Sequence, residues 1–142
     1  SHSRFLYFQI LFEKYFGKVR VELTIFFEKL YWSSFFEKMV LVEGVLGFLE
    51  KCKKEKIKIC VVTDLTVQIQ FEKFKYLNLE KYIDFVVSSE EAGIEKPDGK
   101  IFLLALEKLG MSKDEVIIIG DSLKRDIVGA ENFGVDSYLI KL

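Results

Sequence analysis

Three short stretches carry side chains that could act together. In Gly120-Asp121-Ser122-Leu123-Lys124-Arg125-Asp126, two carboxylates follow an apolar run. Gly120 lets the backbone turn sharply, and the turn after it can return Asp126 to the pocket that Asp121 enters. Two carboxylates facing one pocket repel unless a cation or a lysine lies between them. Mg²⁺ suits such a site, because it binds through few carboxylates, several waters and a phosphate oxygen. The alternative is helix capping by Asp121 with Asp126 exposed. In Glu95-Lys96-Pro97-Asp98, a fixed Lys96 ammonium would neutralise phosphate and carboxylate charge. The plainer reading is a solvated loop lysine. Thr63 and Asp64 follow the apolar run Ile57–Val62. There a hydroxyl and the free N–H groups of a helix start can donate to a phosphate oxygen, unless Thr63 or Asp64 simply caps the helix.

These stretches need strands to carry them to one edge. Ile57–Val62 reads as a buried strand, Phe85–Val87 as a short one, Val116–Ile119 as the clearest buried strand, and Ser137–Ile140 as the last. Between them run helical faces: Val45, Phe48, Leu49 and Cys52; Val67, Phe71 and Phe74; Ile101, Leu104, Ala105 and Leu109, closed by Gly110. A further helix passes through Ile127 and Ala130 to Gly134. Pro97 is placed at a helix start, where its missing N–H does no harm. Ser112 and Glu115 have capping-box spacing. Strands alternating with helices predict an α/β fold with a parallel sheet, and ligands of such sheets bind beyond the carboxyl ends of the strands. Hydroxyl, lysine and paired carboxylates each follow a predicted strand, in that order.

Residues 1–40 have a different texture. Phe5, Phe8, Phe12 and Phe16 fall at helical spacing with Gly17 as a stop, and a second helix runs from Val21 to Met39. An aromatic stripe of this kind predicts helix–helix core. Ser1-His2 reads as a tag remnant, and His2 is given no functional weight.

Half of the 142 residues are hydrophobic, as a sheet covered on both faces would require. With 21 basic and 22 acidic residues, net charge is −1, so nothing draws the chain to nucleic acid or an anionic membrane. No apolar run approaches the roughly 20 residues of a membrane span, and no signal-peptide pattern is present. The two cysteines, Cys52 and Cys60, lack CxxC spacing and read as packed thiols of a cytoplasmic protein, with a disulfide between them as the minor alternative.

Together these motifs resemble the haloacid-dehalogenase superfamily, subfamily I with a helical cap. Val61-Val62-Thr63-Asp64 resembles its second motif. Glu95-Lys96-Pro97-Asp98 with Ile101-Phe102 resembles the third. Gly120-Asp121-Ser122, with Asp126 and Gly129-Ala130, resembles the fourth. The resemblance covers about residues 41–142 and implies a Rossmann-like, three-layer αβα core. Residues 1–40, including Tyr31-Trp32, resemble the rear part of the cap. The family implies a Mg²⁺-dependent phosphatase acting on a small phosphorylated metabolite through an aspartyl-phosphate. By this resemblance Thr63 and Asp64 belong to the phosphate site, and Lys96 holds nucleophile and phosphate. Asp121 ligates Mg²⁺, and Asp126 supports the metal or orients its water and Lys96.

The family's first motif, Asp-x-Asp-x-Thr, has no match. The aspartates are Asp64, Asp84, Asp98, Asp114, Asp121, Asp126 and Asp136, and no two are separated by a single residue. The resemblance implies that the missing strand is central, leaving a gap with unpaired backbone groups. An upstream segment, a second chain, a homo-oligomeric partner or a rearranged sheet would have to fill it. The main alternative function is a non-catalytic phosphate- or partner-binding module that kept the pocket. A metal-free dehalogenase and a receiver domain are more distant readings.

Overall fold

The protein is described by a computed structural model covering residues 3–141; Ser1 and His2 lie outside the described residues. The chain divides into two compact units, Ser1–Val40 and Leu41–Leu142. The first is a pair of helices, α1 (Arg4–Phe16) and α2 (Val21–Lys38). Gly17 ends α1 in the left-handed region at φ 68°, and its N–H donates to the Glu13 carbonyl, a conformation glycine adopts without a Cβ penalty. Phe12 and Phe27 meet edge to face at 5.4 Å between ring centroids, and Phe8 packs beside both. The predicted aromatic core between the helices is therefore present, although Phe5, Tyr15 and Phe26 remain exposed.

The second unit is built from α3 (Val45–Lys54), β1 (Cys60–Thr63), α4 (Val67–Tyr76), β2 (Phe85–Ser88) and α5 (Ser89–Ala92). It continues with α6 (Gly99–Leu109), β3 (Ile117–Gly120), α7 (Val128–Phe133) and β4 (Asp136–Leu139). β1 pairs parallel with β2 from Cys60↔Phe85 to Thr63↔Ser88. β3 pairs parallel with β4 from Ile117↔Asp136 to Gly120↔Leu139. The fold is mixed α/β with parallel strands, but the sheet comes in two halves: among the described residues no strand joins β1 to β3.

The inner edges follow from the ladder. The Ile59 carbonyl accepts from the Asp84 and Phe85 N–H groups and so faces β2. Alternation along the strand turns the backbone groups of Cys60 and Val62 away from β2. The Gly120 carbonyl accepts from the Ile140 N–H on the β4 side, so Ile117 and Ile119 turn theirs away from β4. Both halves share one core. Val87, Ile101, Phe102 and Ala105 are buried together, with Val62 of β1 and Ile118 of β3 packed against them. Ile101 is fully buried, a contribution of about 1.5–3 kcal/mol for a side chain of that size.

Several expectations need correction. Val116–Ile119 is not buried on both sides: Ile117 and Ile119 are 57% and 41% exposed, while Ile118 packs inward. Only one face of this half-sheet is covered among the described residues. Ile57–Val62 enters the ladder only at Cys60, because β2 begins at Phe85; before that, the Ile59 N–H is held by the Asp84 carboxylate at 2.8 Å. The buried face of α4 is Ile69, Gln70 and Phe74, with Phe71 turned outward. Likewise Phe48 of α3 is exposed and Cys52 buried. Pro97 does not start α6. It lies after a cis Lys96–Pro97 bond, and Asp98 caps the helix by accepting from the Lys100 N–H. The Ser112–Glu115 capping box is present, on a single 3₁₀ turn. No helix of the described residues is long and apolar enough to cross a membrane.

Both cysteines are free thiols. Burial, reinforced by Glu91 and partly offset by Lys108, pushes the Cys60 thiol up from an ordinary 9.0 to about 11. The unfolded chain therefore ionises this thiol first. Its contribution to stability is full below 9.0 and is lost as pH rises towards about 11. Urea denaturation across that window should show a stability decline that is shallower in Cys60→Ala; identical slopes would refute the assignment.

Candidate active site

β1 and β3 both end at one ammonium. Lys96 Nζ donates to the Val62 carbonyl at 3.3 Å and to Asp126 Oδ1 at 2.7 Å. Since Val62 stands near the carboxyl end of β1, and Asp126 beside Gly120 at that of β3, the two strands finish on the same side. The lysine and aspartate side chains are 13% and 9% exposed, so the solvated-lysine reading does not hold. A pair this dry depends on mutual compensation, because neither charge would be stable there alone.

Asp126 reaches the site by local backbone design. Residues Leu123–Ile127 form a single wide π turn, closed by the Asp126 and Ile127 N–H groups donating to the Ser122 carbonyl. Such turns insert an extra residue and re-aim side chains. Here the turn folds the carboxylate back, so that Asp126 Oδ2 accepts from the Ser122 N–H at 3.0 Å. A Cβ on Gly120 would lie 2.4 Å from the Asp126 Cβ; glycine is needed at this point to make room. Gly129 acts similarly one turn later, where a Cβ would meet Phe102 at 2.9 Å and Pro97 at 3.1 Å. Ser122, not Asp121, caps the turn, and Asp126 is buried. Asp121 itself is exposed.

Asp64 and Thr63 complete the arrangement from β1. The Asp64 carboxylate is buried, accepts from the Lys96 N–H at 2.9 Å and lies 3.6 Å from the Arg125 guanidinium. It fixes the backbone of the lysine loop and is not turned outward as an anion ligand. Thr63 is also buried; its hydroxyl accepts from the Leu65 N–H at 3.1 Å and donates to Gln70 Oε1 at 3.3 Å. Neither Thr63 nor Asp64 caps α4, whose first N–H, on Val67, donates instead to Glu90 at 2.7 Å.

Two polar residues near this cluster escaped the sequence reading. Gln70 was hidden by the choice of Val67, Phe71 and Phe74 as the inner face of α4. Lys73 lies on the same helix, a turn after Gln70. Burial lowers its ammonium from the usual lysine value, and the Asp121 carboxylate opposes that shift. A polar pair at i and i+3, next to buried Ile69 and Phe74, was the available signal.

The carboxylates of this cluster offer a divalent cation little on their own. Among the described residues no group of three or more His, Cys, Asp or Glu could hold a metal. Asp126 has one oxygen on Lys96 and the other on the Ser122 N–H, and Asp121 is the exposed carboxylate. One free carboxylate oxygen donor is compatible with Mg²⁺, which retains waters and borrows oxygens from substrate. It is too little for a protein-made cage.

Comparisons with known proteins point to one family. The sequence profile described as "Haloacid dehalogenase-like hydrolase" matches residues 7–140. A ribulose-1,5-bisphosphate 5-phosphatase of Halopiger xanaduensis is 37% identical over 139 residues, covering 98% of this chain and 58% of that protein. A glyceraldehyde 3-phosphate phosphatase of Pyrococcus furiosus is 33% identical over 111 residues, covering 78% and 46% respectively. The crystal structure of a HAD phosphatase from Thermococcus onnurineus superposes with a TM-score of 0.73 at 27% identity, covering 92% of this chain and 58% of that one. The chain thus spans about half the length of the curated relatives it matches.

Lys96→Met should destabilise the second unit by about 3 kcal/mol, because it strands the buried Asp126 carboxylate. Arg125→Ala, at a half-exposed position, should cost under about 1 kcal/mol. Adding Asp126→Asn to Lys96→Met should recover part of the loss. Urea unfolding of the three variants checks this; equal costs for Lys96→Met and Arg125→Ala would sink the buried-pair assignment.

Proposed function

The chain belongs to the haloacid dehalogenase-like hydrolase family, and we propose that it forms the phosphate- and metal-binding part of a Mg²⁺-dependent phosphoric monoester hydrolase. The observation that carries this reading is the Lys96 ammonium, held between the Val62 carbonyl and Asp126 where the two half-sheets end. A buried positive charge at the carboxyl edge of parallel strands is suited to a phosphate and to the carboxylate that attacks it. Its named relatives act on phosphorylated sugars, and a small sugar phosphate is the proposed substrate class. The two free thiols suit a reducing, cytoplasmic setting.

In this proposal a parallel strand lies between β1 and β3, pairing with the backbone groups of Cys60 and Val62 on one side and Ile117 and Ile119 on the other. The extra length of the relatives supports an upstream segment as its source. An aspartate at the end of that strand would stand beside Lys96. Its carboxylate attacks phosphorus, the ester P–O bond breaks, and the leaving oxygen takes a proton from a second acid. Water then hydrolyses the aspartyl-phosphate. Lys96 balances charge on nucleophile and phosphate, and the Thr63 hydroxyl donates to a phosphate oxygen. Asp126 keeps Lys96 in place. Mg²⁺ would supply further charge neutralisation when bound, and Asp121 would ligate it.

The test fuses an upstream segment bearing Asp-x-Asp to this chain and follows hydrolysis of p-nitrophenyl phosphate. Turnover should arise, require Mg²⁺, and fall by about 100-fold or more on Lys96→Ala or Asp121→Asn. A well-folded fusion that binds phosphate without turnover would replace the hydrolase by a non-catalytic phosphate-binding module.

A further inference from the structure

Gln70 is an amide buried to 7% exposure beside Ile69 and Phe74 on α4. Its side-chain oxygen meets the Thr63 hydroxyl. A hydroxyl has one proton to give and two lone pairs that accept. At Thr63 one lone pair takes the Leu65 N–H, and the proton goes to Gln70 Oε1. In this arrangement the hydroxyl has nothing to offer an anion. The bond to Gln70 is 3.3 Å, long for a hydroxyl donor, and so weak enough to exchange.

We infer that Gln70 is a positioning residue that sets the direction of the Thr63 proton. Turning the amide over presents Nε2–H to Thr63 in place of Oε1. Because the two ends of the amide are nearly the same size, the exchange does not disturb the packing around Ile69 and Phe74. Thr63 then accepts from both Leu65 and Gln70, and the remaining tetrahedral direction carries its proton, free for a phosphate oxygen. With Oε1 towards Thr63 the hydroxyl is satisfied internally; with Nε2 towards it, the hydroxyl becomes an obligatory outward donor. An amide can do both by one rotation. A carboxylate can only hold the proton back, and a thioether directs nothing. This inference rests on the reading of Thr63 as a phosphate ligand and assigns the residue that prepares it.

The experiment measures inorganic phosphate affinity by ³¹P NMR titration of the fused full-length protein and its variants, with circular dichroism to confirm folding. Gln70→Glu should weaken binding about tenfold or more, as expected for withdrawing one hydrogen bond from a charged ligand. Gln70→Met, close in shape but without polar ends, should weaken it by only about threefold, since the hydroxyl is then free but undirected. In a Thr63→Val background, most of the Gln70→Glu effect should vanish. If the full effect persists there, the added charge acts by repulsion alone and the positioning role is overturned. Equal losses for Gln70→Glu and Gln70→Met would also overturn it, leaving a packing role. If Thr63→Val itself leaves phosphate affinity unchanged, the underlying assignment of Thr63 fails instead.

Discussion

One ammonium organises the chemistry of this unit. Lys96 ties a β1 carbonyl to a carboxylate beside β3, and its own N–H is fixed by Asp64. The backbone of this residue is therefore anchored beside β1, while its side chain bridges both half-sheets. Asp126 can reach it only because the chain turns through a π turn and because Gly120 has no Cβ. α7 can come close to Pro97 only because Gly129 has none. Two glycines and one wide turn thus serve a single ion pair. That pair joins the loop ends of two half-sheets that also share one apolar core.

The division of the sheet is the second constraint. An interior strand edge leaves N–H and C=O groups without ladder partners, and each such group, if buried unpaired, costs about 1–3 kcal/mol. Here Lys96 satisfies one of them, the Val62 carbonyl. The shared core under β1 and β3, built on Ile101 and Phe102, holds the halves together from one side only. The other side of β3 shows Ile117 and Ile119 to solvent. Apolar strand residues that are exposed in a parallel pair are a mismatch between sequence pattern and environment, and a further covering segment would remove it.

Much of the site was readable because its determinants are local. A strand followed by Thr63-Asp64, by Lys96-Pro97 or by Gly120-Asp121 places those residues at one sheet edge whatever the rest of the chain does. The alternation of helices and strands fixed the α/β class in the same way. What was not readable depended on rotation and on neighbours. Val67, Phe71 and Phe74 satisfy helical spacing as well as Ile69, Gln70 and Phe74 do, and only the packing against β1 chooses between them. Val116–Ile119 looks buried because β-branched residues fill it, but burial requires something on both faces. The role of Asp126 was left open between metal and lysine in the sequence. Its two oxygens are shared between Lys96 and Ser122, a distinction that spacing alone cannot make.

That sharing bears on how charge is distributed around Lys96. If Asp126 held a cation directly, Lys96 would lose its counter-charge and face a second positive centre in a nearly dry site. The observed pairing separates the tasks: Asp126 neutralises and aims the lysine, while the exposed Asp121 remains open. Lys73 extends the same logic, since its ammonium is disfavoured by burial and supported by Asp121. Lys96 and Asp126 form a direct ion pair, and Asp121 favours the charged form of Lys73 against the effect of burial.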